Sequence, residues 1–364
     1  MIMRAAAVEG HSFFGAERAI QPIALTGDRP TGALHLGHLA GSLLERVAMQ
    51  DHHRLIVMVA DAQAQTDNAG DKGKIQKAIK EVALDYLAVG IDPARSIIFL
   101  QSEVPELFEL TFHFMNLVTV ARLERNPTIR QELKSRFGSN LAAGQELPAS
   151  MPRQIPVGFL TYPVSQAADI LAFGAQLVPV GEDQLPMIEQ AQEIAVAFEQ
   201  LTGERVFEIP KARLSNCPRL PGVDGSAKMS KSMGNALALG ASADEVAAAV
   251  KKMYTDPNHL RVEDPGQVEG NVVFSYLDAF SPDAARVEEL KARYRAGGLG
   301  DMAVKKELMA VLDALLAPIR ERRAAYAQEV DVTAMLRAGS EIARSLAAER
   351  LARARKALGV GLLG

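Results

Sequence analysis

Two histidines set the first chemical question. His35 and His38 lie in "TGDRPTGALHLGHLAGS", Thr26 to Ser42. There a Gly/Pro-rich turn leaves the apolar run "PIALTG" and enters a helical pattern. Three residues apart, the two rings share one helix face. Gly37 between them leaves room for a ligand against the backbone. A helix start offers unbonded N–H groups and the positive end of its dipole to an anion. Two imidazoles would add donors, so the chemistry is phosphate handling, with ATP the leading candidate. A metal would need more ligands, and no cysteine or His–carboxylate pair at ligand spacing lies near. The pattern alone is shared by other nucleotidyl transferases.

A second stretch narrows the class. "AKMSKSMGN", Ala227 to Asn235, lies about 190 residues downstream. Lys228 and Lys231 stand on a loop of small residues. Such a loop can close on a triphosphate and offset the charge that builds as pyrophosphate leaves. A third stretch, "LTYPVSQAADILAF", places Tyr162, Gln166 and Asp169 at i, i+4 and i+7 of an otherwise apolar helix. That is one polar stripe, fit to line a small buried pocket. "LVPVGEDQ" follows, with Val178 and Val180 as an apolar wall and Asp183 and Gln184 at a helix start.

These residues need a scaffold. From Pro22 to about Ile209, short branched apolar runs alternate with amphipathic segments closed by Gly90 and Gly203. The expectation is an α/β, Rossmann-like parallel sheet covered on both faces, with ligands beyond the carboxyl ends of its strands. This catalytic domain spans 22–214. The polar interval 126–156 reads as a mobile insertion within it. Residues 215–240 carry the lysine loop. Beyond them, 241–364 reads as an α-helical domain opening on a Ser242-x-x-Glu245 capping box. From Pro318 to Lys356 nine basic residues face five acidic ones, a local balance of +4. That reads as a solvated helix face or as a footprint for RNA phosphates.

Composition sets outer bounds. The chain has 364 residues, enough for two domains, and a net charge of −4, so no global charge points to DNA. One cysteine, Cys217, excludes a disulfide framework and suits the cytoplasm. No run of 18 apolar residues appears, so no membrane span is expected. Residues 1–21 read as a loose extension rather than a signal peptide.

Together, His-x-Gly-His after a first strand and Lys-Met-Ser-Lys-Ser after a Rossmann-like domain resemble the class I aminoacyl-tRNA synthetases. An apolar slot with one buried carboxylate suits a flat aromatic ring with one N–H or O–H donor, tryptophan or tyrosine. "YPVSQAADI", "LVPVGEDQ", "PGVDGSAKMSKSMGN" and "MYTDP" make the region from about Ile23 to Tyr326 similar to the tryptophanyl-tRNA synthetases. Pro-Val-Gly before the acidic-Gln pair separates it from the tyrosyl enzymes, which typically carry Gly-Gly.

The resemblance implies that Asp169, ionised, accepts the indole N–H while Tyr162, Gln166 and Gln184 surround the amino group. It places ATP on Arg29, Pro30, Thr31, Gly37, His38, Gly181, Glu182, Asp183, Leu220, Lys228, Met229, Ser230, Lys231 and Ser232. It implies ATP with Mg²⁺ carried on it, no metal site in the protein, tRNA(Trp) as partner, an anticodon-binding role for the helical domain, and a homodimer. Many bacterial members carry Gln at the position of Arg29 and a Thr/Asn pair at those of His35 and His38. The rival readings are a tyrosyl-tRNA synthetase and a non-catalytic synthetase-like paralogue that binds RNA or protein. The intact His pair and both loop lysines speak against the paralogue. The chain contains no tryptophan.

Overall fold

The computed structural model describes residues 21–68, 70–137, 155–214, 220–226, 229 and 234–361. Five strands form one parallel sheet: β1 (Ile23–Asp28), β2 (Arg54–Val59), β3 (Ser96–Leu100), β4 (Leu177–Val180) and β5 (Lys211–Leu214). Their order is β3-β2-β1-β4-β5. Along β2 alternate side chains go to opposite faces, as the pleat requires. Leu55, Val57 and Val59 join one apolar core, and Ile56 and Met58 join another. The α/β expectation therefore holds, with both faces of the sheet buried.

Helices fill the two faces. On the first lie α1 (Leu36–His38), which passes through a π-helical turn at Leu39–Leu43 into α2 (Leu44–Met49), and α4 (Lys72–Val89). A short α3 (Asp61–Asn68) follows β2. On the second face lie α5 (Glu106–Met115), α8 (Val157–Leu171) and α9 (Leu185–Thr202). Between α5 and α8 run α6 (Val120–Glu124) and α7 (Pro127–Phe137). The helical part holds α10 (Ala243–Lys252), α11 (Val272–Phe280), α12 (Ala284–Ala296) and α13 (Asp301–Glu329). Its apolar residues are continuous with the first core. The capping box on α10 is present, Ser242 accepting from Glu245 N and Glu245 from Ser242 N.

The first part of the interval 126–156, read from sequence as a mobile insertion, is helical as α7. Asn126 is fully buried and caps α7, its Oδ1 accepting from Thr128 N at 3.0 Å. Ile129 and Leu133 pack against Phe159. Asn-Pro-Thr reads as a turn in sequence, but it is also an N-cap followed by proline at the first helical position. The rest of the interval, 138–154, lies outside the described residues. β5 has no apolar run to announce it, since it is a short, mostly exposed edge strand.

The last helix, α14 (Val332–Leu358), crosses the free edge of β3. Val332 and Leu336 enter the first core, while Ala343, Ala347, Leu351 and Ala354 enter the second. A Cβ on Gly339 would sit 1.9 Å from Ile98 O, so only glycine permits this approach. Ser340 Oγ accepts from Leu100 N at 3.1 Å, satisfying an edge N–H. This placement answers the question of the basic tail. Arg320 bonds Asp313 and Ala241 O, and Arg322 bonds Ala88 O. Arg323 bonds Asp85 and Glu81, Arg344 bonds Glu106, and Arg350 bonds Val206 O. Arg355 bonds Glu109. These six arginines tie the helices to the rest of the protein, while the side chains of Arg344 and Arg355 keep about half of their surface exposed.

Candidate active site

The strand order reverses between β1 and β4, and the carboxyl ends of both strands open on the crevice where such sheets bind ligands. From β1 the chain enters that crevice at exposed Arg29, buried Pro30 and half-buried Thr31. It then turns into α1. His35 is the N-cap: its Nδ1 accepts from Gly37 N at 3.1 Å, and His38 Nδ1 accepts from His35 N at 3.2 Å. This is a capping box built from two histidines, the ring centroids 3.9 Å apart. Because both Nδ1 atoms accept, the proton of each neutral ring sits on Nε2. The pair is thus set as two Nε2–H donors at a helix start.

A charged support lies behind this turn. Asp28, the last residue of β1, accepts from Arg46 Nη1 at 2.5 Å and from Tyr86 OH at 2.8 Å. Burial alone would raise its pKa, but the Arg46 charge and these hydrogen bonds outweigh it, with a further pull from His38 whenever its ring is protonated, and they hold the carboxyl well below the usual carboxylate range. Leu34 N, just before His35, donates to buried Asp85 Oδ2 at 2.6 Å. Asp85 Oδ1 in turn accepts from Arg323 Nε of α13 at 2.7 Å. None of these supports was singled out in the sequence. Asp28 sits inside the first motif, and its place at a strand's carboxyl end was the signal available for it.

The far half of the clamp is joined to the near half by backbone. Leu36 N bonds Leu237 O at 3.0 Å, and Leu239 N bonds Leu34 O at 3.0 Å. Met229 and Leu220 are both buried. A Cβ on Gly37 would stand 3.0 Å from the His35 ring and 3.3 Å from Met229 Sδ. Glycine there lets the loop reach the histidine turn. The neck of the loop is tied by Asp224 Oδ1, which accepts from Ser226 N, Ser226 Oγ and Asn235 Nδ2 at 2.7–3.1 Å. Lys228, Ser230, Lys231 and Ser232 lie outside the described residues.

Across the crevice, Gly181, Glu182 and Asp183 are exposed on the turn after β4. Thr128 Oγ1 of α7 donates to Asp183 O at 3.1 Å, bracing this turn. Gln184 Nε2 bonds Asp183 Oδ2 at 3.0 Å, so here its amide faces that neighbour. Val178 and Val180 are buried in the second core with Ala167 and Ala168. On α8, Asp169 is buried while Tyr162 and Gln166 are half-buried. Gln101 Nε2, unremarked in the sequence, lies 2.9 Å from both Asp169 oxygens. Burial pushes the Asp169 carboxyl up to about 7, with the Gln101 bond opposing.

The fold and this crevice define a class I aminoacyl-tRNA synthetase. The family model for class I tRNA synthetases (W and Y) matches residues 18–317. The chain is 54% identical over 343 residues to the tryptophan–tRNA ligase of Clostridium longisporum, covering 93% of this chain and 97% of that one. It is 50% identical over 349 residues to the tryptophan–tRNA ligase of Streptococcus pyogenes, covering 93% and 98%. The crystal structure of the tryptophanyl-tRNA synthetase from Campylobacter jejuni complexed with ADP and tryptophan matches at a TM-score of 0.76 and 29% identity, covering 93% of this chain and 99% of that one. This chain belongs to the class I tRNA synthetase family of the tryptophan and tyrosine enzymes.

Proposed function

We propose that the chain is a tryptophan–tRNA ligase. Its substrates are L-tryptophan, ATP and tRNA(Trp). The tryptophan carboxylate attacks the α-phosphorus of ATP in line and pyrophosphate leaves. A terminal ribose hydroxyl of the tRNA then attacks the aminoacyl carbonyl of the adenylate, and AMP leaves. A carboxylate is already a nucleophile, so the first step needs no general base. Catalysis is positioning and charge stabilisation.

The observation that carries the substrate is Asp169, a buried carboxylate beside an apolar wall whose one hydrogen-bonding partner is a neutral amide. It serves as acceptor for the indole N–H. A site built around such a bond rejects analogues lacking the donor by roughly 10⁴–10⁵ without editing. Relatives 50–54% identical over most of the chain support the same reading.

His35 and His38 donate from Nε2 to phosphate oxygens at the start of α1. Arg29, Pro30, Thr31, Gly37 and Leu220 form the near wall of the ATP site, and Gly181, Glu182 and Asp183 the far one. Lys228 and Lys231 grip the leaving pyrophosphate, and Met229, Ser230 and Ser232 of the same loop contact ATP. Mg²⁺ comes with ATP and neutralises phosphate charge. The helical part from residue 241 receives the anticodon end of the tRNA. A homodimer forms through α5, where Phe108, Phe112 and Met115 make an exposed apolar stripe at i, i+4 and i+7. The enzyme works in the cytoplasm, and among the described residues no helix is long and apolar enough to cross a membrane. Amino-acid-dependent ATP–pyrophosphate exchange with all twenty amino acids tests this function. Exchange with tyrosine and not tryptophan overturns the substrate, and none with any overturns the activity.

A further inference from the structure

Gln101 lies at the carboxyl end of β3, on a 3₁₀ turn (Gln101–Glu103), with 1% of its surface exposed. Its Nε2 stands 2.9 Å from Asp169 Oδ1 and 2.9 Å from Oδ2. Its Oε1 accepts from Gln63 N, in the first turn of α3, at 3.0 Å. That backbone N–H can only donate, so the amide cannot flip: oxygen faces Gln63 and nitrogen faces Asp169. The turn itself is fixed on both sides. Ser102 N donates to Asp61 Oδ1 at 3.0 Å, and the preceding Leu100 N donates to Ser340 Oγ.

A carboxylate offers about four lone-pair sites. A single nitrogen equidistant from both oxygens lies on the bisector and leaves the outer lone pair of each oxygen for another donor. Gln101 therefore orients Asp169 without filling it. It also favours the acceptor form, because a proton on the carboxyl would meet an N–H that can only donate.

We propose that Gln101 is a positioning residue that sets substrate specificity: locked by Gln63 N–H, it presents Asp169 as an oriented acceptor and so enforces recognition of an aromatic amino acid carrying a ring N–H. This rests on the reading of Asp169 as the indole acceptor. The probe that isolates it is L-β-(3-benzothienyl)alanine, a tryptophan isostere with sulfur in place of the N–H.

The test compares kcat/KM for tryptophan and for this isostere in ATP–pyrophosphate exchange. The variants are Gln101→Met, which keeps bulk and loses the donor, and Gln101→Glu, which keeps shape and places a second carboxyl against the first. Two carboxyls at that distance share a proton. Both variants are expected to lower the preference for tryptophan about 10-fold or more, chiefly through KM for tryptophan, with KM for ATP little changed. A merely structural Gln101 would change KM for tryptophan and for the isostere alike and leave their ratio unmoved. Wild-type preference in either variant overturns the proposal. Asp169→Ala separates the two claims. If it abolishes the preference while the Gln101 variants keep it, the proposal fails and the acceptor reading stands. If it too keeps the preference, the acceptor reading fails with it.

Discussion

Asp28, its side chain 13% exposed, and Asp169, buried, are both carboxylates within reach of the crevice, and they were given opposite neighbours. Asp28 faces Arg46 and Tyr86, and its pKa is driven down. Asp169 faces one amide, and burial drives its pKa up to about 7. A carboxylate already matched by an internal cation is a support, with little left to offer a ligand. One left half-matched retains acceptor capacity at a cost in stability. Under the proposed function the first holds the scaffold and the second meets substrate.

The largest expected effect breaks the first half of this contrast. Arg46→Met leaves Asp28 as an uncompensated buried charge and should lower stability by about 3–5 kcal/mol. A urea titration at neutral pH reads it, and a midpoint equal to wild type means the guanidinium is not what holds Asp28 ionised. On the other side, Asp169→Ala should leave the fold standing and cut kcat/KM for tryptophan by about 100-fold, the worth of a hydrogen bond to a charged group together with the stranded Gln101 amide. Unchanged tryptophan kinetics would remove Asp169 from the pocket.

The two aspartates also respond to pH with opposite sign. The depressed pKa of Asp28 contributes stability present above its ordinary value of 3.8, lost as pH falls through the folded value. The raised pKa of Asp169 contributes stability present below 3.8, lost as pH rises through about 7. Asp169→Asn cannot ionise. Its stability advantage over wild type should be near zero at pH 4, grow as pH rises toward 7 and level off above it at about 4 kcal/mol. Over the same interval wild-type kcat/KM for tryptophan should rise, because the ionised carboxylate is the acceptor. Thermal melts and exchange kinetics at matched pH values read the two trends. An Asn advantage that shrinks as pH rises reverses the assigned sign.

What the sequence disclosed follows the same division. Periodicity exposed the sheet and its covering helices, because buried strands and amphipathic faces are local patterns. The His pair and the Tyr162–Gln166–Asp169 stripe were legible for the same reason. Gln101 was not, since a single neutral residue at a strand end has no pattern. Arg46 and Tyr86 were missed because their partner, Asp28, is 18 and 58 residues away. The basic tail shows the same limit of one-dimensional reading. Its arginines count as charge in one dimension, while their acceptors lie on α4, on α5 and on the turn near Val206.

Asp85 stands between the two extremes and supplies the smallest test. It is fully buried and pairs with Arg323, yet burial still raises its pKa above the ordinary value. Its other oxygen holds Leu34 N, one residue before the His35 cap. If a matching cation is what makes a buried carboxylate a support, then changing the quality of the match, not its charge, should have a graded effect. Arg323→Lys keeps one positive charge but cannot reach Asp85 and Glu81 together as the guanidinium fork does. The expected loss is about 1 kcal/mol, well below that of Arg46→Met. KM for ATP should rise about 2- to 3-fold as Leu34 loosens, while KM for tryptophan stays put, because Asp169 is anchored through Gln101 on the other side of β1 and β2. A tryptophan KM that rises in step with that for ATP would show that the two carboxylates are not independent, and the contrast between support and ligand would have to be replaced by a single coupled network.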